Sequence, residues 1–540
     1  MADRQMTMIA FLQAQNCSNL PASWRHPASA TDFTSPEYFQ RIARVLEDGR
    51  YHMAFFDDRL AMPDIYSNDF VQTVENGVRA VKLEPTAVAL TMALATTKLG
   101  LGATYSTTYY EPYHVARVFA TLDLMTKGRI AWNIVTSLNN SEAMNFGRSE
   151  HLEHDLRYDR ADEFMEVVMG HWGSWDDDAL IVDKESGRFA DGSKVHRLGH
   201  KGEWFKSRGP FTVPRSPQGH PVLLQAGQSG RGRSFAGRWG EVIFVVYPSL
   251  AAGQKQYADL KAAVAAEGRD PDHVKIAPAC YIVCGESAQM AADKKGFLDE
   301  LPRPIDGLTL LSEILNFDLA SMPYDQPMSD EVLAGLSWQG FRDRVISLSG
   351  KKNPSVADFV HFSGRGTIKE HHAFVGTPKM IADQMEEWFV GRACDGFVQA
   401  ATHMPGSYED FARLVVPELQ RRGLYQHDYA GNTLRENLGL PRPVAADCRR
   451  QYAAARPARR RSEPMPATRR SLIAAAGAAA LLPRAPALAQ ESWPARPVRI
   501  LLPYATGGST YVVARIVADF MSQRLPQRVV VENRTGGGCT

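Results

Sequence analysis

The chain has 540 residues, enough for a large core and more than one domain. Its 61 Lys+Arg against 60 Asp+Glu leave a net charge of +1, which excludes a global binder of nucleic acid or of acidic surfaces. No apolar run reaches the roughly 18 uninterrupted residues of a membrane helix, so the main body reads as soluble and cytoplasmic, with no membrane partner. Cys17, Cys280, Cys284, Cys394, Cys448 and Cys539 lack disulfide-scaffold or zinc spacing, and Cys280 and Cys284 read as buried thiols sharing one strand face.

Over the first 445 residues, strand-length apolar runs alternate with helical periodicity. Strands are predicted near Met6–Leu12, Met53–Asp57, Leu99–Thr104, Ile130–Thr136, Pro221–Ala226, Glu241–Tyr247, Val274–Val283 and Gly396–Ala400. Helices fall between them at Pro112–Thr126, Arg157–Trp172, Ala251–Glu267 and Pro378–Val390, the last with Thr377 as N-cap and Pro378 at the first helical position. Eight apolar strands alternating with helices favour an α/β fold of the closed (β/α)8 TIM-barrel type over an open sheet. Two stretches exceed a barrel connection. Asn139–His220 reads as a helix followed by a hairpin in VHRLGHKGEWFKSRGPFTV, and Leu301–His372 as helices and loops. Such insertions form the walls and lid of a pocket at the C-terminal mouth.

Polar residues sit at the predicted strand ends: Asp58, Thr104, Asn133, Ser137 and Ser229. In a closed barrel these ends converge on one mouth, although singly Asp58 could cap a helix and Thr104 could simply end a strand. Gly227–Arg233 reads GQSGRGR, where glycines admit a close ligand, a helix N-terminus offers N–H groups, and Ser229 with two arginines adds donors. It suits a phosphate monoester, or is a plain surface loop; no dinucleotide or P-loop motif occurs. His154 and Tyr158 are four apart on one helix face, where they could reach a phosphate or a sugar hydroxyl, or could be a surface His and a half-buried Tyr. His361, His371 and His372 lack metal-ligand spacing, so no metal is assigned.

The stretches FFDDRLA (Phe55–Ala61), GLGATYSTTYYEPYHVARVFATLD (Gly100–Asp123), AWNIVTSLN (Ala131–Asn139), NFGRSEHLEHDLRYDRADEF (Asn145–Phe164) and GEWFKSRGPFTVPRSPQGHPVLLQAG (Gly202–Gly227) carry a resemblance. With the closing VVPELQRRG and YAGNTLRENLGL, residues 5–443 resemble the flavin monooxygenases of the nitrilotriacetate and dibenzothiophene-sulfone group, within the luciferase-like superfamily. The resemblance implies a barrel that binds reduced FMN (FMNH2), supplied by a separate NAD(P)H:flavin reductase, and uses O2 to oxygenate a small organic molecule. It implies Asp58 and Thr104 on the ring and ribityl side and His154, Tyr158 and Ser229 towards the phosphate; Asn133 is read separately, as a polar group lining the flavin pocket. A homodimer or homotetramer is expected. An organosulfur substrate is the first expectation and an aminopolycarboxylate the second. NCSNLPASWRH lacks, before its Trp24, the histidines expected of a sulfone-cleaving relative, and LSEILNFDL (Leu311–Leu319) is closer to the aminopolycarboxylate type.

Beyond the barrel, residues 444–464 read as an Arg/Ala-rich linker. Met465–Gln490 has the twin arginine (Arg469, Arg470), apolar stretch and Ala-Leu-Ala exit of an export signal, here internal. Residues 491–540 resemble the opening strand, Gly-Gly turn, helix and strand of a solute-binding protein of the tripartite tricarboxylate transporter type. Two joined reading frames are the simplest reading, with Val444–Thr540 adding nothing to catalysis.

Overall fold

The computed structural model describes residues 4–137, 139–227, 230–337, 339–455, 497–502, 509–523, 525 and 527–533. Packing divides the chain into Met1–Arg459 and Arg460–Thr540.

The first unit is a ring of parallel strands. They are β1 (Thr7–Gln13), β2 (Met53–Asp57), β3 (Gly100–Ser106), β4 (Ile130–Val135), β5 (Val222–Gln225), β6 (Val242–Val245) and β7 (Lys275–Cys284), followed after β8 (His372–Gly376) by β9 (Gly396–Ala400). β9 pairs with β1 from Thr7↔Gly396 to Phe11↔Ala400, and β6 pairs with β7, so β1–β7 and β9 close an eight-stranded barrel. β8 is an addition, paired with the second half of β7 from Cys280↔His372 to Cys284↔Gly376. All eight predicted ring strands are present.

Alternation along the strands separates two cores. Met8, Ala10, Leu12, Ala54, Phe56, Trp132 and Ile134 pack outwards among the helices. Ile9, Phe11, Met53, Phe55, Ala131, Leu224 and Val398 fill the barrel interior. The surrounding helices include α1 (Pro112–Met125), α2 (His154–Trp172), α3 (Gly230–Trp239), α4 (Leu250–Ala266), α5 (Pro304–Leu315) and α6 (Pro378–Val390). Thr377 caps α6 by accepting from the Met380 amide, as its sequence predicts.

The closing segment plugs the N-terminal end of the barrel. Leu434, Leu438 and Leu440 join the interior core, and Arg435 is buried against Glu241 at 2.6 Å. Burial alone would raise the Glu241 carboxyl, but Arg435 outweighs it and holds the pKa down to about 2.

Both insertions contain the expected elements. The first holds a short helix Asn140–Asn145, α2 and the predicted hairpin, His200–Lys201 with Lys206–Ser207. It also holds an unpredicted hairpin, Leu180–Asp183 with Arg188–Ala190.

The packed unit reaches beyond the expected boundary at 443. Residues Ala445–Ala455, read from composition as linker, form α7 and pack on α2. Arginine and alanine are also strong helix formers, and Ala445, Cys448 and Tyr452 fall on one face at helical spacing. All three are buried, and Tyr452 Oη meets His200 Nδ1 at 3.3 Å. A Cβ at Gly173 would lie 2.9 Å from that of Cys448, so glycine permits the approach.

The second unit contains β10 (Val498–Leu502), α8 (Ser509–Ser522) and β11 (Val529–Asn533), with the two strands parallel from Val498↔Val529 to Leu502↔Asn533. This is the predicted strand–helix–strand. The signal-like Met465–Gln490 lies outside the described residues.

Truncation after Pro443 should lower the Tm by several degrees relative to truncation after Arg459, because it uncovers the face that Cys448 and Tyr452 occupy. Equal Tm values by calorimetry would show that α7 contributes nothing to the barrel.

Candidate functional site

Parallel pairing places every C-terminal strand end on one rim. Strand alternation turns Gln13, Asp57, Thr104, Ser106 and Asn133 inwards, one step above an apolar floor. The floor is aromatic: Phe11 and Phe55 stack with centroids 5.3 Å apart and planes 9° apart, and Phe244 lies 5.3 Å from Phe11.

Register brings Thr104 and Asn133 side by side. Asn133 Nδ2 donates to Thr104 Oγ1 at 2.8 Å, and Thr104 Oγ1 donates to the Phe56 carbonyl at 2.8 Å. Thr104 does not end its strand, which continues to Ser106, and Ser106 Oγ lies 2.9 Å from Ser137 Oγ. Asn133 Oδ1 remains buried without a protein partner. An unmet buried acceptor costs about 1–3 kcal/mol, so this inward oxygen suits a bound ligand's donor.

Asp58 follows β2 and caps neither of the next two helices, whose N-caps are Ile65 and Phe70. Its neighbour Asp57 holds the local cation, Lys82 Nζ, at 2.7 Å. Burial therefore dominates at Asp58 and raises its pKa to about 7, with Asp57 adding to the effect and Lys82 opposing it. Asp57 moves the other way: burial tends to raise it, but Lys82 and Arg79 hold it below the usual range.

Across the rim, His154 and Tyr158 share a face of α2 with ring centroids 5.2 Å apart. Tyr158 is buried against Phe235 of α3 at 5.5 Å. This packing brings the pair to the first turns of α3, whose N-terminus follows Ser229; Ser229 itself lies outside the described residues. The two arginines of the glycine-rich run are not the free anion donors that its sequence suggested. Arg231 pairs with Asp159 at 2.9 Å and Asp162 at 2.5 Å, while Arg233 lies 3.9 Å from Asp259.

The structure adds residues that spacing did not single out. Arg59 pairs with Glu313 of α5 at 3.1 Å, and Asn139 Nδ2 donates to the same carboxylate at 3.1 Å. The two insertions thus meet above β2. Near β7, Arg79 Nη2 donates to Asn19 Oδ1 at 3.1 Å, and Asn19 Nδ2 reaches Tyr281 Oη at 3.2 Å and His371 Nε2 at 3.0 Å. An imidazole therefore stands beside the loop that has no histidine before Trp24. The visible clue was the His371-His372 pair, weighed in the sequence only for metal spacing.

Asp58 gives a testable pH dependence. Its folded pKa lies above the ordinary value near 3.8, so the folded state favours the protonated form. The wild type should lose stability relative to Asp58→Asn as pH rises from about 4 to 7. Denaturant unfolding of the two proteins across that window checks it, and parallel curves would remove the assignment.

Residues 14–395 match the family model "Luciferase-like monooxygenase". The chain is 47% identical over 443 residues to dibenzothiophene-sulfone monooxygenase of Rhodococcus erythropolis, covering 82% of this chain and 98% of that one. It is 41% identical to N-acetyl-S-(2-succino)cysteine monooxygenase of Bacillus subtilis (78% and 94% covered) and 40% identical to nitrilotriacetate monooxygenase component A of Aminobacter aminovorans (78% and 93%). A crystal structure of riboflavin lyase with modified FMN and riboflavin superposes with a TM-score of 0.74 at 35% identity, covering 82% of this chain and 97% of that one. With the closed barrel and its polar rim, these likenesses establish that the chain belongs to the luciferase-like monooxygenase family, whose members are flavin-dependent enzymes.

Proposed function

We propose that the protein is a two-component monooxygenase that takes reduced FMN from a separate NAD(P)H:flavin reductase and uses O2 to oxygenate a small organosulfur substrate. The observation that carries this reading is the Thr104–Asn133 pair, with its unmet Asn133 Oδ1, above the Phe11–Phe55–Phe244 floor. An apolar floor edged by buried hydrogen-bonding groups fits a flat heteroaromatic ring with a polar margin. On the β4–β5 side, Tyr158, His154, Ser229 and the N-terminus of α3 would hold the phosphate. Reduced FMN, when bound, supplies the electrons that activate O2. The protein's share is to anchor the phosphate, orient the ring through Thr104, Asn133 and Asp58, and keep water off it with the aromatic floor.

The organosulfur assignment is supported by the dibenzothiophene-sulfone and N-acetyl-S-(2-succino)cysteine relatives. An aminopolycarboxylate is the second reading, supported by the likeness of the LSEILNFDL segment to that type and by the nitrilotriacetate relative.

Ser229→Ala should weaken reduced-FMN binding about 10–100-fold, the equivalent of a charge-assisted contact worth about 1.5–3 kcal/mol. Anaerobic titration measures it, and unchanged affinity would remove the phosphate assignment. Product analysis with a generic flavin reductase, on sulfones, sulfonates and aminopolycarboxylates, decides the substrate class. A chain ending at Arg459 should retain full activity; loss of turnover there would place essential function in the tail and favour a solute-binding role.

A further inference from the structure

Resting on the flavin reading above, we propose that the β1–β7 side of the mouth selects the substrate, that Gln13 is its specificity-determining residue, and that the substrate carries a carboxylate beside a hydrogen-bond donor.

Ring order gives the location. In an eight-stranded ring β1 lies across from β5, so Gln13, the last residue of β1, stands opposite the His154, Tyr158 and α3 group assigned to the phosphate. Gln13 is 3% exposed, pairs in register with Asp57, and lies two residues beyond Phe11 on the same strand face. Both of its side-chain atoms, Oε1 and Nε2, are buried without a hydrogen-bond partner. Among the described residues of the inner rim it is the amide with neither end met, and a donor and an acceptor are both waiting for a ligand.

The charge on this side points to an anion. Four cations at or near the mouth are matched by carboxylates: Lys82 by Asp57 at 2.7 Å, Arg59 by Glu313 at 3.1 Å, Arg365 by Glu370, and Arg25 by Asp306. Arg79 is a fifth, 6% exposed, with no carboxylate within ion-pair distance among the described residues and with its Nε hydrogen unmet. Its bond to Asn19 Oδ1 fixes that amide's orientation, so Asn19 Nδ2 faces His371 Nε2 and Tyr281 Oη. Nε2 then accepts, and the proton of neutral His371 resides on Nδ1. The wall therefore offers a buried positive charge, a primary amide and an ordered imidazole. A sulfone without a donor could meet Gln13 Nε2–H through its oxygens but would leave Gln13 Oε1 unmet and bring no charge to face Arg79. An organic acid whose carboxylate takes Gln13 Nε2–H and whose N–H or O–H meets Gln13 Oε1 would satisfy both ends of that amide and bring its negative charge to the side that carries Arg79.

The test is anaerobic calorimetry on the full chain saturated with reduced FMN, using N-acetyl-S-(2-succino)cysteine and its fully methyl-esterified form as probes. The acid should bind wild type at least about ten-fold more tightly than the ester. Gln13→Glu, which keeps the shape but adds a like charge, should weaken the acid at least about ten-fold and the ester less than about threefold. Gln13→Leu should weaken both, and neither variant should change reduced-FMN affinity. Equal affinity for acid and ester, absence of acid binding, an unaltered Gln13→Glu titration, or reduced-FMN affinity falling in the variants would each overturn the proposal. Failure of the wild type to bind reduced FMN at all would instead overturn the flavin reading, and the preceding flavin titration scores that separately.

Discussion

The structure depends on ring closure between β9 and β1. Parallel pairing from Thr7↔Gly396 to Phe11↔Ala400 leaves no free edge between first and last strands and forces all strand termini onto two rims. One rim is sealed by Leu434, Leu438 and the Arg435–Glu241 pair, where a buried charge is matched by its partner. Side chains from β1 through β5 can then share the other mouth although they are far apart in sequence.

At that mouth the two faces of each strand have opposite tasks. Outward residues such as Trp132 and Phe56 are held among helices, so their strands cannot shift register without exposing them. That rigidity keeps inward polar groups such as Asn133 and Gln13 buried with atoms unmet. The aromatic floor beneath them supplies dryness without hydrogen bonds of its own. Each half of the mouth therefore has a chemical character: the β2–β4 half pairs Thr104 with Asn133 and has Asp58 just past the end of β2, and the β1–β7 half carries Gln13, Arg79, Asn19 and His371.

The insertions add what a bare barrel cannot. Glu313 reaches Arg59 and Asn139, so segments from two separate excursions are tied by one carboxylate. The α7 helix extends this outer layer by packing on α2, with Arg449 donating to the Gly173 carbonyl at 2.8 Å and pairing with Asp176 at 2.7 Å while Arg450 stays exposed. Composition alone could not separate this helix from a linker, because the deciding feature is which face of the helix finds a partner.

Much of the scaffold was legible in the amino-acid order. Strand-length apolar runs, the Thr377-Pro378 helix start and the polar residues after each run are local patterns, and local patterns follow from side-chain periodicity and backbone preference. They were enough for eight parallel strands, for the fold class and for Asp58, Thr104 and Asn133 as rim residues. Pairings between distant residues were not legible. Lys82 chooses Asp57 over Asp58, Arg231 is taken by Asp159 and Asp162, and Asn19 meets His371 from 352 positions away. Sequence spacing carries no information about which charge a folded chain brings within 3 Å of another, or which amide it leaves buried and unmet; only closure of the barrel decides that.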